Sequence, residues 1–289
     1  MTTPQCVWQA RCHLGEGPVW IEREQALYFV DIKGHAIHRY KPATDGRTSW
    51  VTPGPPGFVL PRRGGGFVIG MGNKLAVWDP DTNAVTTRAS IPNHPPGDRI
   101  NDGYADTKGQ LWFGTLNESN TMATGKLFRW NGRESSIVTC DSGYVVTNGP
   151  VISPDGRTLY HCNSVEGAIY AFDVNAEGDL SAKRVFVQFE PNVFPDGMAM
   201  NERGEIWVAL FNGWRLDLIS PAGERIDQIA LPCAQVTKPA FGGKDLKTLY
   251  VTTAQLDFSA DDKQAQPLAG GLFAFEVEKP GRVQGEVNA

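Results

Sequence analysis

The chain has 289 residues, in which glycine (32) and proline (20) together make about 18 %, above the roughly 12 % of an average soluble protein. With 41 % apolar residues it can bury a large core, yet no apolar stretch approaches the roughly 20 residues of a spanning helix. A net charge of −5 without any basic cluster argues against a protein built to neutralise phosphates. Neither a membrane nor nucleic acid is therefore an expected partner.

In chain order, residues 6–10 (Cys-Val-Trp-Gln-Ala) read as a short leading strand. A turn followed by an apolar-aromatic strand then recurs six times, over residues 25–30, 65–70, 109–114, 157–162, 204–209 and 247–252. The aromatics of these copies, Tyr28, Phe67, Trp112, Tyr160, Trp207 and Tyr250, are spaced by 39, 45, 48, 47 and 43 residues. A second strand follows each, starting at Ala36, Lys74, Lys126, Ala168, Arg215 and Gly271. Several of these alternate apolar and polar residues, as half-buried strands do. Most then meet a turn such as Asp79-Pro80-Asp81-Thr82-Asn83 and a third, more polar strand such as 86–89 or 225–230. No segment sustains a capped apolar period of 3.6 residues, so the chain reads as all-β.

Repeats of about 40–50 residues that each supply a four-stranded sheet match propeller blades. The expectation is a single domain over residues 1–289, a six-bladed β-propeller with four-stranded blades. Residues 6–10 would add the outer strand to the blade that the C-terminal residues finish, closing the ring. Two stacked sandwiches are the weaker reading, because they do not demand a matching aromatic in every copy.

Counting back from each aromatic brings four unusual polar residues to one repeat position: Glu16 at 12 residues, Asn101 at 11, Asn148 at 12 and Asp196 at 11. All sit in glycine-containing turns, Leu14-Gly15-Glu16-Gly17-Pro18, Arg99-Ile100-Asn101-Asp102-Gly103, Thr147-Asn148-Gly149-Pro150 and Phe194-Pro195-Asp196-Gly197-Met198. Such turns are expected in the loop before the innermost strand, opening onto the central channel. Pro55 and Lys238 occupy about this offset in the other two copies, so the ring is asymmetric. Two carboxylates with neutral amide oxygens suit a hard divalent cation.

These motifs, in order and with Phe241-Gly242-Gly243 after them, resemble the regucalcin (senescence marker protein) and gluconolactonase family of six-bladed propellers over nearly the whole chain. Residues 154–160 and 268–273 look especially like its bacterial sugar-lactone members, including xylonolactonases. The resemblance implies that Glu16, Asn148 and Asp196 bind one divalent metal ion (calcium, zinc, iron(II), manganese or magnesium). It implies that Arg99 and Asn101 contact substrate and that Asp196 doubles as general base. Glu118 lies near a family position that touches substrate, and Lys238 faces the pocket by its offset.

The activity this implies is hydrolysis of a pentono- or hexonolactone to the aldonic acid in sugar catabolism. A metal there acts as Lewis acid and orients water, while Arg99 stabilises the developing oxyanion. Competing classes are a related propeller hydrolase of phosphotriesters or other lactones and a non-catalytic metal-binding propeller. Other chemistry is weaker. His13, His35, His38, His94 and His161 form no His-x-x-x-His pair, and no Gly-x-Ser-x-Gly elbow is present. Asp98 and Asp102 are expected to orient Arg99 or cap a turn, and His161 to be a packed or hydrogen-bonded core residue. Cys6, Cys12, Cys140, Cys162 and Cys233 form no Cys-x-x-Cys pair, and the N-terminus carries no leader-like segment. A cytoplasmic monomer with free thiols is the corresponding expectation.

Overall fold

The computed structural model describes residues 3–133 and 136–289. Met1, Thr2, Glu134 and Ser135, which the single-domain reading includes, lie outside the described residues. Six four-stranded antiparallel sheets are arranged around a ring. Blade one comprises β2 (Gly15–Ile21), β3 (Ala26–Asp31), β4 (Ala36–Lys41) and β5 (Gly46–Val51). Blade two is β6 (Pro56–Pro61), β7 (Phe67–Met71), β8 (Lys74–Asp79) and β9 (Ala84–Ser90). Blade three is β10 (Asp98–Ala105), β11 (Leu111–Asn117), β12 (Gly125–Trp130) and β13 (Val138–Tyr144). Blade four is β14 (Thr147–Ile152), β15 (Thr158–Asn163), β16 (Ala168–Val174) and β17 (Leu180–Gln188). Blade five is β18 (Phe194–Met200), β19 (Ile206–Phe211), β20 (Arg215–Ile219) and β21 (Arg225–Ala230).

Blade six combines β22 (Val236–Gly242), β23 (Thr248–Thr253) and β24 (Leu272–Glu276) with β1 (Gln5–Trp8) as its outermost strand. The pairing of Gln5 with Ala274 and Cys6 with Phe273 closes the ring non-covalently, as the leading segment predicts.

The repeated aromatic marks the second strand of each blade, not the innermost. The inner strands are β2, β6, β10, β14, β18 and β22, which contact one another around the channel. Aromatics are needed at the second strand because neighbouring blades pack face to face there. Tyr28 of blade one lies 4.5 Å from Phe67 of blade two, and Trp20 stacks on Tyr250 across the joint with blade six at 5.7 Å. Contacts of this kind contribute about 0.5–1.5 kcal/mol beyond their buried area. Burial falls off outward: β3 is buried throughout, whereas β5 alternates half-buried and exposed residues, the period-two signature of a sheet with one wet face.

One short α-helix, α1 (Ala260–Ala265), interrupts the all-β pattern in the connection from β23 to β24. Its residues are all exposed, and a capping box between Ser259 and Asp262 forms it without any apolar face. No apolar period announces it for that reason. No helix among the described residues is long and apolar enough to cross a membrane.

The two ends of the channel differ. After β24 the chain crosses the face where the inner strands end, with Gly281 N donating to Leu246 O, Gly285 N to Ala105 O, Val287 N to Pro61 O and Asn288 N to Gly109 O. This tail covers a cavity of about 50 Å³ lined by inner-strand residues such as Val19, Tyr104, Val151 and Met198. The opposite end, where the inner strands begin, carries Glu16, Asn148 and Asp196.

Candidate functional site

Each polar residue of the repeat position stands inside the first turn-proximal residues of an inner strand rather than in the loop before it. At that level the pairing with the second strand slips in every blade, between Glu16 and Val19, Ile100 and Gly103, Asn148 and Val151, and Pro195 and Met198 among others. A bulge re-aims a side chain that regular alternation would hold against a sheet face. Gly17 and Gly149, at φ +54° and +48°, supply the left-handed residue just after Glu16 and Asn148. Close approach is the reason for Gly197, where a Cβ would lie 2.4 Å from Lys238 Cβ.

The structure brings Glu16, Arg99, Asn101, Asn148, Asp196 and Lys238 together, each 5–6 % exposed. A continuous relay joins blades three, four and five. Arg99 Nη1 donates to Asn101 Oδ1 at 2.6 Å, and Asn101 Nδ2 to Asn148 Oδ1 at 2.7 Å. Asn148 Nδ2 donates to Ser164 Oγ at 3.0 Å, and Ser164 Oγ to the Pro195 carbonyl at 2.7 Å, immediately before Asp196. Glu16, from blade one, stands beside Asp196, close enough for each carboxyl to shift the other. Its Oε2 also accepts from Gly17 N at 2.8 Å.

Glu118 stands in the turn after β11, on the rim. Its carboxylate pairs with Arg99 Nε on one oxygen and with Lys33 Nζ of blade one on the other. Burial pushes the Glu118 carboxyl up, but the Arg99 and Lys33 charges outweigh it and hold it below the usual range. Arg99 itself is shifted down by burial, against the opposing pull of Glu118, Glu16 and Asp196.

Of the two roles expected for Asp98 and Asp102, bracing a turn is the one found, and neither bonds Arg99 among the described residues. Asp98 Oδ1 accepts from Asn117 Nδ2 and Thr124 Oγ1, both at 2.9 Å, and so braces the rim turn instead of Arg99. Asp102 accepts from Gly103 N at 2.7 Å and Gly149 N at 2.9 Å, and pairs with Lys238 across the channel. His161 is packed and not hydrogen-bonded: both ring nitrogens are buried without a partner among the described residues, and Tyr144 meets the ring edge-on at 4.8 Å.

Three buried carboxylates, Glu16, Asp102 and Asp196, thus face two buried cations, Arg99 and Lys238. Burial and the nearby Asp102 charge raise Glu16 to about 7. Burial, then the Glu16 and Asp102 charges, push Asp196 well above the ordinary carboxyl range. Asp196 Oδ1 is buried and has no hydrogen-bond partner among the described residues. An orphaned carboxylate oxygen costs free energy unless something positive reaches it, and the oxygen donors of Glu16, Asn148 and Asp196 fit a hard divalent cation. The Asn148 carbonyl retains a second lone pair beyond its bond to Asn101.

Reasoning backward from the aromatics does not reach Ser164 or Lys33. Both lie just after the aromatic strand, in turns that the antiparallel pairing places beside the bulges. Counting forward by four to six residues finds Lys33, Glu118 and Ser164 together.

The family model described as the SMP-30/Gluconolactonase/LRE-like region matches residues 14–255. A Xenopus laevis protein named regucalcin is 34 % identical over 277 residues, covering 93 % of this chain and 92 % of its own. A Pseudomonas putida protein named 6-deoxy-6-sulfogluconolactonase is 32 % identical over 281 residues, covering 96 % of each. Among solved structures, a calcium-binding protein named regucalcin from Agrobacterium tumefaciens superimposes with a TM-score of 0.94 over 100 % of this chain and 98 % of its own. At 23 % identity that likeness bears on the fold alone.

Proposed function

Because this chain belongs to the SMP-30/gluconolactonase/LRE-like family, we propose that it hydrolyses the ring ester of a sugar lactone to the aldonic acid, with one divalent cation at Glu16, Asn148 and Asp196. The observation that carries this reading is the partnerless, buried Asp196 Oδ1 within a ring that also presents Arg99 and Asn101. The relative named for a sulfogluconolactonase supports a sugar lactone as the substrate class.

When bound, the cation supplies Lewis-acid polarisation of the lactone carbonyl and acidifies water. Asp196 would take the proton of the attacking water as a general base. Arg99, held by Glu118 and Asn101, offers its guanidinium to the oxyanion that develops as the carbonyl becomes tetrahedral. Asn101 and Glu118 orient sugar hydroxyls, and Lys238 balances Asp102 so that the added carboxylate does not repel an oxyanion. All-oxygen donors favour calcium, magnesium or manganese over zinc or iron(II). The reading includes a monomer acting in the cytoplasm: the ring closes with the chain's own strand, and all five cysteines are free.

The test is a hydrolysis panel of xylono-, arabinono-, galactono- and gluconolactone, an aliphatic lactone and a phosphotriester, on chelator-stripped protein with each of the five cations restored singly. Sugar-lactone hydrolysis that depends on a cation and falls by about 10²–10⁴ in Asp196→Asn is expected. Full activity without metal, or an unimpaired Asp196→Asn, overturns the assignment. Faster turnover of the phosphotriester moves the enzyme to another class, and no hydrolysis under any condition leaves a binding protein.

A further inference from the structure

Away from the channel, a second group of ligand-type side chains is assembled where the ring closes. The Cys12 thiol, an Asp31 carboxylate oxygen and a His38 ring nitrogen all lie within 4.8 Å of one another. The three residues are 1 %, 8 % and 9 % exposed. Cys12 lies on the connection from β1, the outer strand of blade six, to β2, the inner strand of blade one, and its backbone N–H donates to Gly270 O of blade six at 2.9 Å. Asp31 ends β3 and His38 lies in β4, both in blade one.

The surroundings prepare each side chain for one more bond. His38 Nδ1 faces Ser49 Oγ at 2.8 Å, and Nε2 makes no hydrogen bond among the described residues. Trp8 edge-on at 5.3 Å and Phe29 at 4.9 Å hold the ring in place. A hydrogen bond at one nitrogen that directs the other is the usual support for a metal-binding histidine. Asp31 Oδ1 accepts from Leu14 N at 3.0 Å and Gly34 N at 2.9 Å, whereas Oδ2 accepts only from His13 N at 3.0 Å. A carboxylate has about four lone-pair sites, so one remains, on Oδ2. The Cys12 thiol has no hydrogen-bond partner on another residue among the described residues.

We propose that Cys12, Asp31 and His38 supply three donors of a second cation site, its fourth position left to water, selective for a thiophilic divalent ion of the zinc class. A sulfur, an imidazole nitrogen and one carboxylate oxygen are zinc donors, whereas calcium and magnesium take oxygen. Binding releases the thiol proton and joins sulfur, nitrogen and oxygen through the ion. The ion locks the segment leaving blade six onto blade one, at the joint where the ring has no covalent closure. The site shares no ligand with the channel and stands whether or not the chain hydrolyses lactones.

The experiment titrates chelator-stripped protein with cobalt(II) and with zinc, in the wild type, in Glu16→Gln/Asp196→Asn, and in Cys12→Ser. A near-ultraviolet thiolate-to-cobalt charge-transfer band is expected in the first two proteins and not in Cys12→Ser. Zinc is expected at one equivalent in the Glu16→Gln/Asp196→Asn protein, raising its Tm. If Cys12→Ser does not fold, by circular dichroism, His38→Gln serves in its place and loses both the band's intensity and the zinc-dependent rise in Tm. A central-site variant that shows no charge-transfer band, a band that survives Cys12→Ser, or a Tm rise undiminished in His38→Gln overturns the proposal.

Discussion

The Lys238 ammonium of blade six meets the Asp102 carboxylate of blade three across the channel, with both residues almost fully buried. This pair ties opposite walls of the ring and lies in the same charge field as Glu16 and Asp196, both of which Lys238 pulls down and Asp102 pushes up. Breaking one side of such a pair leaves an uncompensated buried charge, at about 3–5 kcal/mol. Lys238→Met is accordingly expected to lower unfolding free energy by that amount in urea titrations of metal-free protein. Lys238→Met/Asp102→Asn should recover a large part of it. A double variant as unstable as the sum of its singles shows that the two residues do not couple.

The Arg99–Asn101–Asn148 relay makes Asn101 the joint between the guanidinium and the amide to which the proposed function gives the oxyanion and the cation. Asn101→Ala removes a bond to each. With hydrogen bonds to charged groups contributing about 1.5–3 kcal/mol, kcat/KM on the preferred lactone should fall by about 10- to 100-fold. Isothermal titration should also show weaker cation binding. Unchanged kinetics with normal cation affinity would separate the relay from function.

Glu16 is raised from 4.5 to about 7, by burial first and then by Asp102. The folded state therefore holds that proton more tightly than the unfolded chain. Its contribution is fully present below about pH 4.5 and is lost as pH rises through about 7, with a slope of up to about 1.4 kcal/mol per pH unit. In metal-free protein, the stability of wild type relative to Glu16→Gln should decline between about pH 5 and pH 8. Calcium or manganese should restore wild-type stability at the upper end, because the ionised carboxylates are then paired. A pH-independent difference between the two proteins would contradict this.

His161 behaves in the opposite sense. Burial lowers it from 6.5 to about 3, so the unfolded chain takes a proton in a range where the folded ring stays neutral. This histidine costs stability progressively as pH falls from about 6.5 toward about 3, again up to about 1.4 kcal/mol per pH unit. His161→Leu, which also removes two orphaned nitrogens, should flatten the acid limb of a Tm-against-pH profile. An acid limb of the same steepness would place the titrating group elsewhere.

The C-terminal tail is pressed so closely against the ring that a Cβ on Gly281 would lie 1.9 Å from Phe241 Cγ. Gly281→Ala should force the tail or the ring aside at about 1–3 kcal/mol, read as a lower Tm and faster amide exchange at the Gly285 and Val287 N–H groups. Wild-type Tm and exchange would mean that the tail relaxes without cost.

The repeat spacing of Tyr28, Phe67, Trp112, Tyr160, Trp207 and Tyr250 already determines six blades, because each copy must bury the same aromatic against its neighbour. The common offset of Glu16, Asn101, Asn148 and Asp196 likewise places them on one ring, since radial repetition converts equal position in the repeat into proximity. Which strand is inner was not legible there: inner and second strands are both apolar, and only the contacts among β2, β6, β10, β14, β18 and β22 distinguish them. Nor was the partner of Asp102, because Lys238 lies 136 residues away and the pair forms only when blade six stands opposite blade three. Cys12, Asp31 and His38 carry no short ligand spacing, and ring closure is what gathers them. Local periodicity is written along the chain, but a contact across a closed ring depends on the closure itself.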